Sequence, residues 1–434
     1  MSDHFLSHSN SFGFEMGKDA AGCRAFNRNF IVGGEIIMKP LSRAALNVHA
    51  STTMAIDSKA KQMKADGLDV IGFGAGEPDF HTPDNIKLAG IKAIIDNNTK
   101  YTPAAGIIPL RKAIAERLKL DCGLDYDYTQ IVVASGAKHN VFLALAALVD
   151  IGDEVIIPAP FWLSYGEMVP MLGGVPVIVT TTHEQGFKIT PEQLEAAVTE
   201  KTKVVIINNP SNPGGMFYSR EELQALADVC VRHDLYILAD EIYYKLLFDG
   251  REFVSVAALG EDIKERTIVV NGVSKCYCMT GWRLGYSASN LPLAKAMSSY
   301  VGHSTGSPST ISQYAAIEAL TGPQENIDEM CKVFQARRDY IYERMNSIKG
   351  VSCIKPEGAF YVMMNVSELL GKTLHGHLIT SDSDFASAFL EESMVAVVPC
   401  AGFGTPNYVR WTYATSMENI KEGLDRLEKF IKDI

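Results

Sequence analysis

The chain predicts an α/β fold, in which helices cover both faces of a mostly parallel sheet and a smaller α+β unit is appended. Three observations point there. Helical patterns alternate with short strands over much of the chain. Those strands are near-continuous apolar runs rather than alternating ones, as expected where both faces of a parallel sheet are covered. Beyond Val351 the regular alternation stops and the texture changes.

The elements follow in order. Ala55 to Asp66 is amphipathic with helical spacing, and an apolar run from Leu68 to Phe73 leads into a Gly/Pro-rich turn. Periodicity predicts helices over Asp84–Asn97, Ile108–Cys122, Lys138–Leu148, Pro191–Val198, Arg220–His233 and Leu291–Tyr300. Strands are expected over Gln130–Ala134, Glu154–Pro158, Val175–Val179, Lys203–Asn208, Leu235–Ala239 and Thr267–Asn271. Ser309–Thr321 and Asn326–Ile348 read as long helices. The remainder mixes strands (Phe360–Asn365, Val395–Val398, Tyr408–Tyr413) with helices (Asp382–Glu391, Met417–Ile431). Residues 1–37 show no sustained period and read as a flexible extension, with Met38 a candidate alternative start. His4 and His8 have helical metal-ligand spacing, for which chance is the better explanation. The expected division is 1–37 extension, 38–85 first part of a small domain, 86–322 large domain and 323–434 remainder of the small domain.

Composition narrows the function. At 434 residues the chain exceeds what one hydrophobic core organises, and 47% hydrophobic with 21% charged residues suits a soluble enzyme. A net charge of −11 disfavours a nucleic-acid partner. No apolar stretch approaches the roughly 18–20 residues of a membrane helix. Eight cysteines are dispersed without paired CxxC motifs or a secretory signal, so a cytoplasmic protein with reduced thiols and no metal is expected.

Polar clusters follow the apolar strands at the ends where open parallel sheets bind ligands. Ser135-Gly136-Ala137-Lys138 opens a helix after the strand ending at Ala134. Asn212-Pro213 follows the strand ending at Asn208, Asp240-Glu241-Ile242-Tyr243 the one ending at Ala239, and Ser274-Lys275 the one ending at Asn271; Gly281-Trp282-Arg283 comes soon after. A helix start at Gly136 offers backbone N–H groups to a phosphate, Arg283 a bidentate clamp and Ser274 a hydroxyl. Lys275 is a candidate Schiff-base former, and Asp240 at an apolar strand end needs a cation. Lysine, buried carboxylate and phosphate cradle together describe a site for pyridoxal 5′-phosphate.

Ser274 to Tyr286 resembles the cofactor-lysine signature of class I aminotransferases. So do Gly76-Glu77-Pro78-Asp79-Phe80, Lys100-Tyr101-Thr102-Pro103, Pro160-Phe161-Trp162-Leu163-Ser164-Tyr165, the Asn212-Pro213 loop, Asp240 to Tyr243 and Tyr408-Val409-Arg410. The match runs from Met38 to the C-terminus and is nearest to bacterial-type aspartate aminotransferases, a branch that includes prephenate aminotransferases. It implies fold type I: a large domain on a mostly parallel seven-stranded sheet, a smaller α+β domain, and a homodimer with shared active sites.

The resemblance also implies roles. Lys275 holds the cofactor and then moves the substrate's α-proton, while Asp240 pairs with the ring nitrogen. Asn212 and Tyr243 donate to the phenolic oxygen, and Trp162 stacks on the ring. Gly136, Ala137, Lys138, Ser274 and Arg283 form the cofactor's surroundings, with Tyr101 reaching across from a second subunit. Arg410 grips the substrate α-carboxylate, helped by Gly76 backbone, Trp162 and Asn212. Relatives use a Lys at the position of Lys138 to recognise a distal carboxylate, which favours aspartate with 2-oxoglutarate. Animal-type aspartate enzymes bring an Arg from the neighbouring subunit, but Val301 to Thr305 has none. His49 stands where prephenate-accepting relatives often carry Lys, and Gly214 where the family usually has Thr. Prephenate or aromatic substrates, a carbon–sulfur lyase, and a binding protein without catalysis are the alternatives. A dinucleotide loop at Gly72, Gly74 and Gly76 is rejected, because Pro78 and Pro83 follow instead of a helix start. Cys276 and Cys278 read as small packing residues.

Overall fold

The apolar runs expected between residues 130 and 272 all become strands of one seven-stranded sheet. The computed structural model describes residues 41–42, 45–46 and 52–432, and 52–432 belong to one compact unit. The expectations for residues 1–37, for Met38 and for His49 fall outside the described residues.

Strand β1 (Ile71–Gly72) is what remains of the run from Leu68 to Phe73. The main sheet comprises β2 (Ile131–Ala134), β3 (Glu154–Ala159), β4 (Val175–Thr180), β5 (Thr202–Asn208), β6 (Tyr236–Asp240), β7 (Thr267–Gly272) and β8 (Gly285–Ala288). Its order is β2-β8-β7-β6-β5-β3-β4. Only β8 runs against the rest, pairing antiparallel with both β2 and β7. Strands β2, β6 and β7 are almost wholly buried, whereas every residue of β4 is exposed or half-buried. The expectation of a buried run at Val175–Val179 is therefore corrected: β4 is an edge strand, and Pro176 is tolerated there because an edge needs fewer ladder donors.

Helix starts are written locally. Thr190 and Ser219 each accept from the backbone N–H three residues on, and Gln193 and Glu222 reach back to close capping boxes. Each such cap stabilises its helix by about 1 kcal/mol. The helices run within a few residues of their expected bounds, as with Ile108–Cys122, Ala137–Leu148 and Arg220–Arg232.

Beyond Val351, β9 (Ser352–Cys353), β10 (Tyr361–Asn365), β11 (Val398–Pro399) and β12 (Tyr408–Thr412) form an antiparallel sheet in the order β11-β12-β10-β9. The expected strand Val395–Val398 is divided between Val395–Ala396, which pairs with β1, and β11. Arg410 sits mid-strand, opposite Met363 on one side and Val398 on the other. No helix among the described residues is long and apolar enough to cross a membrane.

Candidate active site

The C-terminal edge of the parallel strands opens onto a cavity of about 520 Å³, within the range of small-molecule sites. Register aligns the contributors. Asn208 and Asp240 are paired at the ends of β5 and β6, while Gly285 pairs with both Ala134 and Gly272. Antiparallel β8 therefore begins at the edge where its neighbours end, which brings Arg283 to the polar loops.

One end of the cavity suits an anion. Gly136 has φ 90° and begins the helix Ala137–Leu148 without a side-chain cap. A Cβ at Gly136 would lie 2.6 Å from Arg283 Nη2, so a glycine lets the guanidinium approach the helix start. Gly285 matters equally: a Cβ there would meet the Ala137 nitrogen at 2.2 Å. Arg283 Nη1 donates to the Thr280 carbonyl at 2.9 Å and Nη2 to that of Ser135 at 3.4 Å. Uncapped N–H groups and an adjacent guanidinium are what a phosphate needs.

Deeper in, Asp240 is buried and receives the Tyr165 hydroxyl at 2.6 Å and the Ile242 N–H at 3.3 Å. Burial pushes its pKa up, and those two donors with Lys275 oppose the rise. Asn208 Nδ2 donates to the Asp240 carbonyl at 2.8 Å, and its Oδ1 accepts from the Asn212 N–H at 2.8 Å.

Lys275, just beyond β7, donates its amine to the Gly76 carbonyl. Burial, reinforced by Arg410 and Arg283 and opposed by Glu77 and Asp240, lowers its pKa to about 8. At pH 7 roughly a tenth of the amine is then free base, against about 0.03% for an ordinary lysine. Attachment of an aldehyde to Lys275, trapped by hydride and followed against pH, is expected to rise through about pH 8 and level off above it. A rise that begins only near pH 10 would contradict this assignment.

Arg410 is 6% exposed. Its Nη1 donates to Asn212 Oδ1 at 3.0 Å and Nη2 to the Gly74 carbonyl at 2.9 Å, and the guanidinium lies 4.6 Å from the Tyr361 ring centre. Each terminal nitrogen carries a second N–H beyond these bonds, so this planar fork at the cavity wall has donor capacity left for an entering carboxylate.

Of the expected site residues, Gly76, Ala137, Lys138, Trp162, Asn212, Asp240, Tyr243, Ser274, Lys275, Arg283 and Arg410 line the cavity. Gly136 stands behind it against Arg283. Tyr101 is fully exposed and takes no part in this chain's own cavity wall. Tyr243 shares a 3.1 Å hydrogen bond with Tyr361. Burial, with Tyr361 adding, holds its phenol well above the usual range. The carbonyl of Gly76 faces Lys275, whereas Gly74 supplies the one that meets Arg410. Lys138 lies with its amine 4.8 Å from the Trp162 ring centre, its pKa lowered by burial and by Arg283.

Sequence reasoning gave no role to Tyr165, Asn208, Glu77, Thr280 or Tyr361, all of which also line the cavity. Glu77 accepts from Thr280 at 2.7 Å. Both stand within motifs that signalled the site, as does Tyr165. Tyr361 arrives from the second sheet, where no local pattern marks it.

Comparison with known proteins agrees with this geometry. The family model described as "Aminotransferase class I and II" matches residues 68–427. An aspartate aminotransferase of Bacillus sp. (strain YM-2) is 50% identical over 382 residues, covering 88% of this chain and 96% of the relative. An aspartate/prephenate aminotransferase of Cereibacter sphaeroides is 49% identical over 393 residues, covering 90% and 98%. Among solved structures, the aspartate aminotransferase from Rhizobium meliloti superposes with a TM-score of 0.87 at 43% identity, covering 91% of this chain and 98% of that one.

Proposed function

Since the chain belongs to the class I and II aminotransferases and is thus a transaminase, we propose that it uses pyridoxal 5′-phosphate to exchange an amino group between L-aspartate and 2-oxoglutarate. The observation that carries this reading is that Lys275, Asp240 and Arg410 line one cavity. Lys275 is an amine whose pKa burial lowers to about 8, Asp240 a buried acid, and Arg410 a fork whose terminal nitrogens each carry a second N–H beyond their bonds to Asn212 and Gly74.

The residues fit the cofactor. Lys61, Lys138, Lys275, Arg283 and Arg410 outnumber Glu77 and Asp240 around the cavity, as suits a phosphate and a dicarboxylic substrate. Gly136, Ala137, Ser274 and Arg283 hold the phosphate, Asp240 the protonated ring nitrogen and Trp162 the ring face, with Asn212 and Tyr243 at the phenolic oxygen. Tyr101 from a second copy of the chain completes the phosphate end. Its full exposure supports this, as do the exposed apolar side chains Leu88, Ile91, Ile94 and Ile95 on the preceding helix.

When bound, the cofactor supplies a ring that draws off negative charge developing at the substrate's α-carbon. Arg410 orients the α-carboxylate so that the α-hydrogen faces Lys275, whose free amine takes that proton and returns it on the other side of the exchange. Lys138 meets the distal carboxylate. Transfer needs both half reactions at one site, so the same Arg410 and Lys138 serve amino acid and oxo acid alike.

Incubating the reconstituted protein with aspartate and 2-oxoglutarate is expected to give oxaloacetate and glutamate in equal amounts. Pyruvate and ammonia from a β-substituted amino acid would instead identify a lyase. Prephenate is the second acceptor to test, because a relative of nearly equal identity carries that substrate in its name. Arg410→Lys loses the two-pronged grip and is expected to lower kcat/KM for aspartate and for 2-oxoglutarate together, by about 10²–10³-fold. An effect on only one substrate would move the α-carboxylate elsewhere.

A further inference from the structure

A carboxylate at a buried strand end stays charged only if donors are aimed at it. Two are aimed at Asp240 by the protein, and the phenol of Tyr165 at 2.6 Å is much the closer. Nothing else about Tyr165 calls for a hydroxyl. Its side chain is 1% exposed, and its ring packs edge-on against Trp162 at 5.3 Å and 86°, contacts a phenylalanine would keep. Its N–H bonds the Trp162 carbonyl at 2.9 Å, which fixes the first turn of the helix Ser164–Met171 and so the aim of the phenol.

Resting on the function proposed above, we infer that Tyr165 is a positioning residue of the reaction, whose hydroxyl holds Asp240 negative and oriented toward the cavity it lines. Tyr165 acts through Asp240 alone. Burial holds its own phenol well above the usual range, so it donates rather than titrates. The other ionisable groups facing Asp240 are Tyr243, from the turn after β6, and Lys275, from the loop after β7. Glu241, next in the chain, turns away to bond Ser255 and the Val256 N–H. Without the phenol, Asp240 becomes more basic and draws the ring nitrogen's proton toward itself. A bound cofactor's ring would then carry less positive charge, and the Lys275 nitrogen holding it would be easier to protonate.

The test compares wild type, Tyr165→Phe and Tyr165→3-fluorotyrosine, each reconstituted with pyridoxal 5′-phosphate, without substrate. The readouts are cofactor affinity and the pH midpoint of the bound cofactor's visible band. Tyr165→Phe is expected to raise the midpoint and weaken affinity by roughly ten- to a hundredfold, the loss of one charge-assisted hydrogen bond. The fluorinated phenol, a stronger donor of the same shape, is expected to lower the midpoint. A Phe variant with wild-type midpoint and affinity overturns the inference, and so do two variants that shift in the same direction. Should the Phe variant not fold, an unmoved midpoint in the fluorinated protein overturns it. A wild-type protein that forms no visible band overturns the proposed function, and this inference with it, whereas a normal wild-type band beside unmoved variants overturns the inference only.

Discussion

Lys275→Ala is expected to abolish the visible band of the reconstituted protein and to lower transamination by about 10⁴-fold or more. One amine is asked to do two jobs. Under the proposed function it would hold the cofactor's aldehyde and, once displaced, carry the α-proton. Other bases in the cavity are poor substitutes. Lys138 lies against Trp162, and Lys61 also lines the neighbouring pocket bounded by Gly72, Gly74 and Ala75. Lys275 alone is held near the Gly76 carbonyl, with burial bringing its pKa to about 8. Turnover within tenfold of wild type would remove it from both roles. The variant should fold normally, because it deletes a cavity-facing amine and leaves β7 and its ladder untouched.

The second large effect is at Asp240. Asp240→Asn keeps the shape and can still accept from Tyr165, so the fold and the cavity should persist. What it removes is the negative charge that, under the proposed function, would keep a proton on the cofactor's ring nitrogen. The expected result is a fall in kcat of roughly 10³-fold, about 4 kcal/mol of transition-state stabilisation, with a smaller change in KM. That split matters. A residue that merely shaped the pocket would move KM at least as much as kcat. An unchanged kcat would mean that the ring proton is held by another group.

Much of the fold was legible because burial and periodicity act locally. Runs such as Lys203–Asn208 and Thr267–Asn271 had to be strands: they are too short and too uniformly apolar for surface helices, and the structure extends each by only one residue, to Thr202–Asn208 and Thr267–Gly272. β8 was invisible for the opposite reason. Gly285-Tyr286-Ser287-Ala288 is short and begins with glycine, and it becomes a strand only because β2 and β7 flank it. At the site, Asp240, Lys275 and Arg410 were readable, since each is a costly residue at the end of, or within, an apolar strand. Tyr165 and Tyr361 were not given roles, because a tyrosine in an apolar setting reads as packing. What distinguishes them is the partner of the hydroxyl, Asp240 in one case and Tyr243 in the other, and only the tertiary fold reveals that.

Reduction of the reconstituted protein with borohydride, followed by peptide mass mapping, addresses the attachment site itself. The expected product carries the pyridoxyl phosphate mass on the peptide containing Lys275, in one equivalent per chain, with Lys138 and Lys61 unmodified. An adduct on either of those lysines, or no adduct, would contradict the assignment on which the chemistry described here depends.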